Sequence, residues 1–235
     1  MSLAGGASTT LHVCSFERAR TRMEVVALEP PMRLLDWCRQ EGVPDAIVGG
    51  FFVRDDGPPL GELWSAGRRL ASKPFDPPWQ RVRGCVAVDR ETVRLGRRHE
   101  LDAVPGGDLL QAGPLLVRAG EPVVAGDPEG FSAGERQFDS DITRGRYPRA
   151  ALALTDDRYL AVACDGRSDA DAGLTLEELA GTLVELGADA AINLDGGGST
   201  SLVSGFRLIN RPREEHGIEL AGGRHVATAL AFQQV

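Results

Sequence analysis

A strand-like run, Ala190 to Leu194, ends in Asp195, and three glycines, Gly196, Gly197 and Gly198, follow before Ser199 and Thr200. Glycines let main-chain N–H groups approach a ligand closely and turn the chain through conformations that other residues avoid. With a carboxylate in front and two hydroxyls behind, such a turn suits a phosphate or a sugar oxygen. The lysine that a nucleotide-binding P-loop requires is absent. A plain turn is the competing reading, since Gly is the commonest turn residue.

The same arrangement recurs at Cys164-Asp165-Gly166-Arg167, where an apolar run from Tyr159 ends in a carboxylate, a glycine and a guanidinium. If the two runs are parallel strands of one sheet, Asp165 and Asp195 leave the same edge. Two carboxylates facing one pocket are the minimal apparatus of glycoside cleavage: one protonates or activates water, the other attacks or stabilises an oxocarbenium ion. A turn Asp beside Gly is the alternative reading of each.

These residues need elements to position them. Thr175-Leu176-Glu177-Glu178 has the capping-box form, and Leu176, Leu179, Leu183 and Leu186 continue one helical face until Gly187. Strand, helix and strand therefore run in order from Tyr159 to Asp195, for which a right-handed crossover is expected if the strands are parallel. Ala150 to Thr155 and Tyr159 to Cys164, joined by Asp156-Asp157-Arg158, form a hairpin pattern. Upstream, Leu11 to Phe16 and Met23 to Leu28 read as strands, and Met32 to Gln40 as a helix capped by Gly42. Ala46 to Val53, Gly61 to Leu70 and Arg83 to Leu95 read as further strands, and Leu115 to Val124 as a hairpin. The polar stretch from Gly126 to Arg146 is long for a loop in a compact domain, and such loops are functional or disordered. The expectation is an α+β fold, a single domain over residues 11–235 with a mixed, largely antiparallel sheet flanked by helices. Residues 1–10, small and polar, read as a disordered or tag-like leader.

Composition narrows the partners. The 26 basic against 34 acidic residues leave a net charge of −8, which opposes adhesion to nucleic acid or to an anionic membrane. No run approaches the roughly 20 apolar residues of a membrane span. The start of the chain has no cationic and apolar signal-peptide pattern, so cytoplasmic residence is the expectation for the chain as given, with export the alternative if a leader preceded it. Cys14, Cys38, Cys85 and Cys164 are widely spaced and read as free thiols, with no zinc pattern. A small-molecule partner and no cofactor are expected. Asp139 and Asp141 could line the pocket from the long loop or hold a divalent cation with Asp195, and a solvated acidic turn is the preferred reading.

Several ordered motifs carry a family resemblance. Asn193 to Ser201, then Ile209-Asn210-Arg211-Pro212, then Gly223 to Leu230 resemble the C-terminal signature of the phosphodiester glycosidase family, and Ala46 to Phe52 resembles its upstream N-G-G-F-F element. Ala112 to Leu116, Pro148 to Ala151 and Asp165-Gly166-Arg167 fall in the family's order between them. Together they span about residue 45 to about residue 232. Val48 stands where the family has Asn, and Thr228 where an Asn is frequent in the last strand.

The resemblance implies a hydrolase that cleaves the glycosidic bond of a sugar 1-phosphodiester. The leaving phosphate monoester departs as a stable anion, so holding its charge matters more than protonating it. Planar guanidinium groups bind phosphate oxygens in a fork, which makes Arg149, Arg167 and Arg224 the candidates. Gly196 to Thr200 and the Gly49-Gly50 pair are candidate substrate-binding backbone. Asp195 is expected as nucleophile or oxocarbenium stabiliser, Asp165 as base or as a partner that orients an arginine. His225 beside Arg224 could donate to phosphate or be structural; Phe51 and Phe52 could stack on a sugar or be buried. Val48 predicts either a substrate lacking the polar group that the family's Asn would meet or an apolar wall there, and with either poor turnover of N-acetylglucosamine phosphodiesters; a packing variant in the core is the alternative. Attack at phosphorus on the same scaffold, and a phosphosugar-binding module without turnover, are the two alternatives.

Overall fold

The structure, a computed structural model, describes residues 1–53, 57–89, 92–102, 106–124 and 145–235. Three sheets dominate it, every ladder in them antiparallel, with short helices between. The first sheet has the order Leu11–Glu17, Arg158–Cys164, Arg149–Leu154, Ala190–Asn193, Leu115–Arg118, Glu121–Pro122. The second runs Arg207–Leu208, Leu202–Ser204, Asp45–Val48, His225–Gln234, Thr21–Arg33, and the third Arg68–Arg69, Leu63–Ser65, Asp108–Gln111, Gly84–Asp89, Thr92–Arg97.

All six residues of Arg149–Leu154 are buried because the first sheet is covered on both faces. Ala150, Leu152 and Ile192 join a core shared with residues of the other two sheets, such as Ile47, Leu230 and Val86. Ala151, Val162 and Ala191 pack instead with Leu176, Leu179, Ala180 and Leu183 of the helix Leu176–Glu185. Each of these fully buried leucines stabilises the fold by roughly 1.5–3 kcal/mol. The helix starts as its sequence predicts: Thr175 Oγ1 accepts from the Glu178 N–H at 3.1 Å and Glu178 Oε2 accepts from the Thr175 N–H at 3.0 Å. Gly42, with φ 69°, ends the helix Leu34–Glu41 in the left-handed conformation.

Arg158–Cys164 and Ala190–Asn193 both pair antiparallel with Arg149–Leu154, which lies between them. They are therefore parallel to each other, and their C-terminal ends share one sheet edge with the N-terminal end of the intervening strand. Asp165, Asp195 and Arg149 arise there. The strand expected over Ala46 to Val53 ends at Val48, because the chain leaves the ladder at Gly49 and Gly50, whose N–H groups bond Thr228 O and Thr228 Oγ1, both at 2.9 Å. Residues 1–10 are sewn to the loop after Cys164: Thr9 Oγ1 donates to Asp165 O at 2.7 Å and the Thr10 N–H to Asp171 Oδ1 at 2.8 Å.

Candidate active site

The turn Asp195 to Thr200 is bounded by three neighbours, Pro148, Arg167 and Glu214, and at Gly197 the positive φ itself favours glycine. The Gly197 N–H bonds Pro148 O at 2.9 Å, and a Cβ on Gly196 would lie 2.9 Å from the same oxygen. Gly197, with φ +60°, has the Arg167 guanidinium 3.4 Å from where a Cβ would stand. A Cβ on Gly198 would lie 2.7 Å from Glu214 Oε1, the carboxylate that accepts from Arg224. The Asp195 N–H donates to Gly49 O at 2.9 Å, which ties the Gly49-Gly50 turn to the catalytic candidate. A side chain on Gly49 would meet Thr228 Oγ1 at 2.6 Å. Two glycine turns distant in sequence thus meet at Asp195.

Arg167 borders this turn directly and Arg224 through Glu214, whereas Arg149 has its main chain beside Gly196 and its guanidinium bonded elsewhere. Arg149 is buried; its Nε donates to Leu174 O and its NH2 to Gly145 O, both at 3.0 Å. Desolvation lowers its pKa to about 10, so it stays a cation at neutral pH. Arg167 is half-buried with φ 61°, a strained conformation for a residue with a side chain, and donates to Arg213 O at 3.0 Å. Burial lowers its pKa, and the nearby carboxylates of Glu214 and Glu215 oppose that shift. Arg149 and Arg167 lie 5.7 Å and 5.6 Å from the centre of the Tyr147 ring, in cation–π reach. Arg224 pairs with Glu214.

Asp165 sits at the same sheet edge but is turned to other partners. Its Oδ2 meets His12 Nε2 at 2.9 Å and its Oδ1 accepts the Arg211 N–H at 2.7 Å, with the residue 2% exposed. This geometry is that of a brace joining three segments. Asp195 is more open, and its Oδ1 accepts from the Gly196 N–H at 2.9 Å.

Of the remaining candidates, Gly197, Gly198, Ser199 and Thr200 are buried, and Thr200 Oγ1 and Asn193 Oδ1 are buried without a hydrogen-bond partner. Unsatisfied oxygens of this kind cost about 1–3 kcal/mol each and cluster where a fold serves function. Val48 is 0% exposed within the main core, so the expected apolar wall is not presented to a ligand; the side chain packs as core. His225 is exposed at the start of the last strand. Phe52 is buried, whereas Phe51 is partly exposed with the Arg83 guanidinium 5.2 Å from its ring centre. Asp139 and Asp141 lie outside the described residues. Among the described residues, no three His, Cys, Asp or Glu side chains gather as a metal site.

Glu214, Tyr147, His12 and Arg83 escaped sequence reasoning. Arg83 is 2% exposed and holds Ala112 O and Gly113 O at 2.8 Å, fixing a motif whose own residues carry no side-chain chemistry. Only Tyr147, next to Pro148-Arg149, had a signal in its position. Glu214 lies in no motif and reaches the site through a loop.

The model of the family described as phosphodiester glycosidase matches residues 41–233. The chain belongs to the phosphodiester glycosidase family. That match takes in every element that builds the site except Leu11–Glu17, which supplies His12. Among solved structures, the catalytic domain of zebrafish N-acetylglucosamine-1-phosphodiester alpha-N-acetylglucosaminidase is similar with TM-score 0.72 and 16% identity, covering 100% of this chain and 86% of that one. A hypothetical protein from Synechocystis gives 0.65 and 20%, covering 98% of this chain but 60% of that one, so the chain spans less than two thirds of its length. A Burkholderia pseudomallei protein gives 0.70 and 16%, with coverages of 97% and 74%. At identities this low, the structural similarity establishes a common fold and nothing more. No curated protein matches the chain.

Proposed function

We propose that this member of the phosphodiester glycosidase family hydrolyses the bond between the anomeric carbon of a sugar and the phosphate of a 1-phosphodiester, releasing sugar and a phosphate monoester. The observation that carries the reading is the convergence of Arg167 and Arg224 on the glycine turn that follows Asp195. The C–O bond breaks, the phosphate oxygen keeps the electron pair, and water delivers its oxygen to the anomeric carbon and its proton to a carboxylate. Asp195 faces the positive charge that develops on the sugar; Arg167 and Arg224 face the negative charge that develops on phosphate. Arg149, held by carbonyls, adds a fixed buried cation and orders the loop that carries Tyr147. Asp165 positions the Arg211 segment. A preformed arrangement of charges is worth most where water is excluded.

Hydrolysis of a sugar 1-phosphodiester in water enriched in a heavy oxygen isotope tests this. Label in the sugar is the expected result. Label in the phosphate means attack at phosphorus, and ligand binding without product means a binding module.

A further inference from the structure

A cavity open to solvent is lined in part by Asn210 and Arg211, the second of which gives its N–H to Asp165. Its volume is about 400 Å³, within the range of small-molecule sites, and it is open on one side. Leu35, Leu208 and Leu220 form apolar lining, and Arg39, Arg207 and Arg211 stand around it. All three arginines are exposed, and their guanidinium groups make no hydrogen bond or ion pair with another described residue. The single carboxylate in the lining, Glu219, is 3.5 Å from the Arg213 guanidinium. A fourth cation adjoins the cavity: Arg33 lies 3.4 Å from where a Cβ on Gly222 would stand. In a chain of net charge −8, four arginines gathered around one carboxylate that is already paired with Arg213 define a local field opposite to that of the whole molecule.

The cavity is also wired to the catalytic turn. Asn210 Nδ2 donates to Thr200 O and its Oδ1 accepts the Leu202 N–H, both at 2.8 Å, while the Arg211 N–H is the one held by Asp165. Residues 210–211 therefore present side-chain charge to the cavity and hydrogen bonds to the site.

We propose that this cavity is an anion-binding subsite that takes a charged sugar unit, its ring lying on the leucines and its anionic group held by Arg39, Arg207 and Arg211. Assigning the ligand to sugars rests on the phosphodiester glycosidase activity proposed above. The anion comes either from a remote unit of the same substrate or from a separate sugar phosphate.

Isothermal titration of the full chain with glucose 6-phosphate tests it, comparing wild type with an Arg39→Ala/Arg207→Ala double variant. Both residues are exposed and outside the catalytic constellation. Losing two charge-assisted contacts is expected to weaken one binding event at least tenfold, while turnover of a methyl-aglycone phosphodiester stays within about twofold of wild type. If the anion belongs to the substrate, KM for a polymeric sugar phosphodiester rises about tenfold in the variant. If it is separate, that KM is unchanged, and added glucose 6-phosphate alters turnover of the short substrate by wild type alone. Identical isotherms for the two proteins, whether they show one binding event, two or none, overturn the site. Because binding is read without turnover, this outcome is independent of whether the proposed reaction occurs.

Discussion

The His12 imidazole and the Asp165 carboxylate meet at 2.9 Å, across neighbouring strands of the first sheet. The other Asp165 oxygen holds the Arg211 N–H, so this carboxylate links Leu11–Glu17, the strand ending at Cys164 and the segment leading to Glu214. Asp165→Ala takes the acceptor from the part-buried Arg211 N–H and the partner from His12, and is expected to lower stability by about 1–3 kcal/mol in urea titration. Asp165→Asn, which keeps an oxygen for that N–H, retains a tenth or more of the activity. Asp195→Asn loses a thousandfold or more, on the order of 4 kcal/mol of transition-state stabilisation. Equal losses in the two Asn variants would make Asp165 a second reacting carboxylate.

Arg224→Gln and Arg167→Gln are each expected to lower kcat/KM by about ten- to a hundredfold, the scale of one charge-assisted hydrogen bond. Unchanged kinetics in both would place the phosphate on the main chain of Gly196 to Ser199 instead.

Gly198 and Glu214 offer a way to disturb that pair without touching either arginine. An added Cβ in Gly198→Ala comes within 2.7 Å of Glu214 Oε1, the far end of a flexible side chain that can swing away from both Gly198 and Arg224. Arg224 then loses its partner. Turnover should fall about tenfold, while the urea midpoint shifts by no more than about 0.5 kcal/mol in stability. A large stability loss with normal kinetics would show that Glu214 serves folding alone.

Gly49 has no such freedom. A Cβ there meets Thr228 Oγ1 at 2.6 Å and the Thr228 carbonyl carbon at 2.9 Å, in the strand at the centre of the core. Gly49→Ala should cost about 1–3 kcal/mol, the range for overpacking, and displace Asp195 through its bond to Gly49 O. Both urea unfolding and kcat should register it.

Burial pushes the Cys38 and Cys164 thiols up to about 12 from a reference of 9.0. The neutral thiol is the form that the fold favours. The stability it contributes is whole below pH 9.0 and is lost as the pH rises through about 12. Below pH 9 neither thiol should react with iodoacetamide in the native protein, and both should react in urea. Alkylation of native protein at pH 8 would mean that these sites open locally.

The capped helix, the hairpin ending at Cys164 and the glycine turn after Asp195 were legible in the sequence because each is written in neighbouring residues. Thr175 finds Glu178 three positions on, and Asp195 leads straight into its glycines. The family motifs extended that reading to Gly49-Gly50 and to the three arginines. What the sequence left open was direction and company. Asp165 and Asp195 look alike as strand-end carboxylates, and only the tertiary structure distinguishes them, because it brings His12, 153 residues away, and the Arg211 N–H to one and not to the other. Val48 is core because the strands around it bury it, a property that pairing across the sheet decides. Glu214 belongs to the site through the loop that lays it over Gly198 and beside Arg224. No local spacing encodes such a contact, since its energy comes from segments that meet only when the chain has folded.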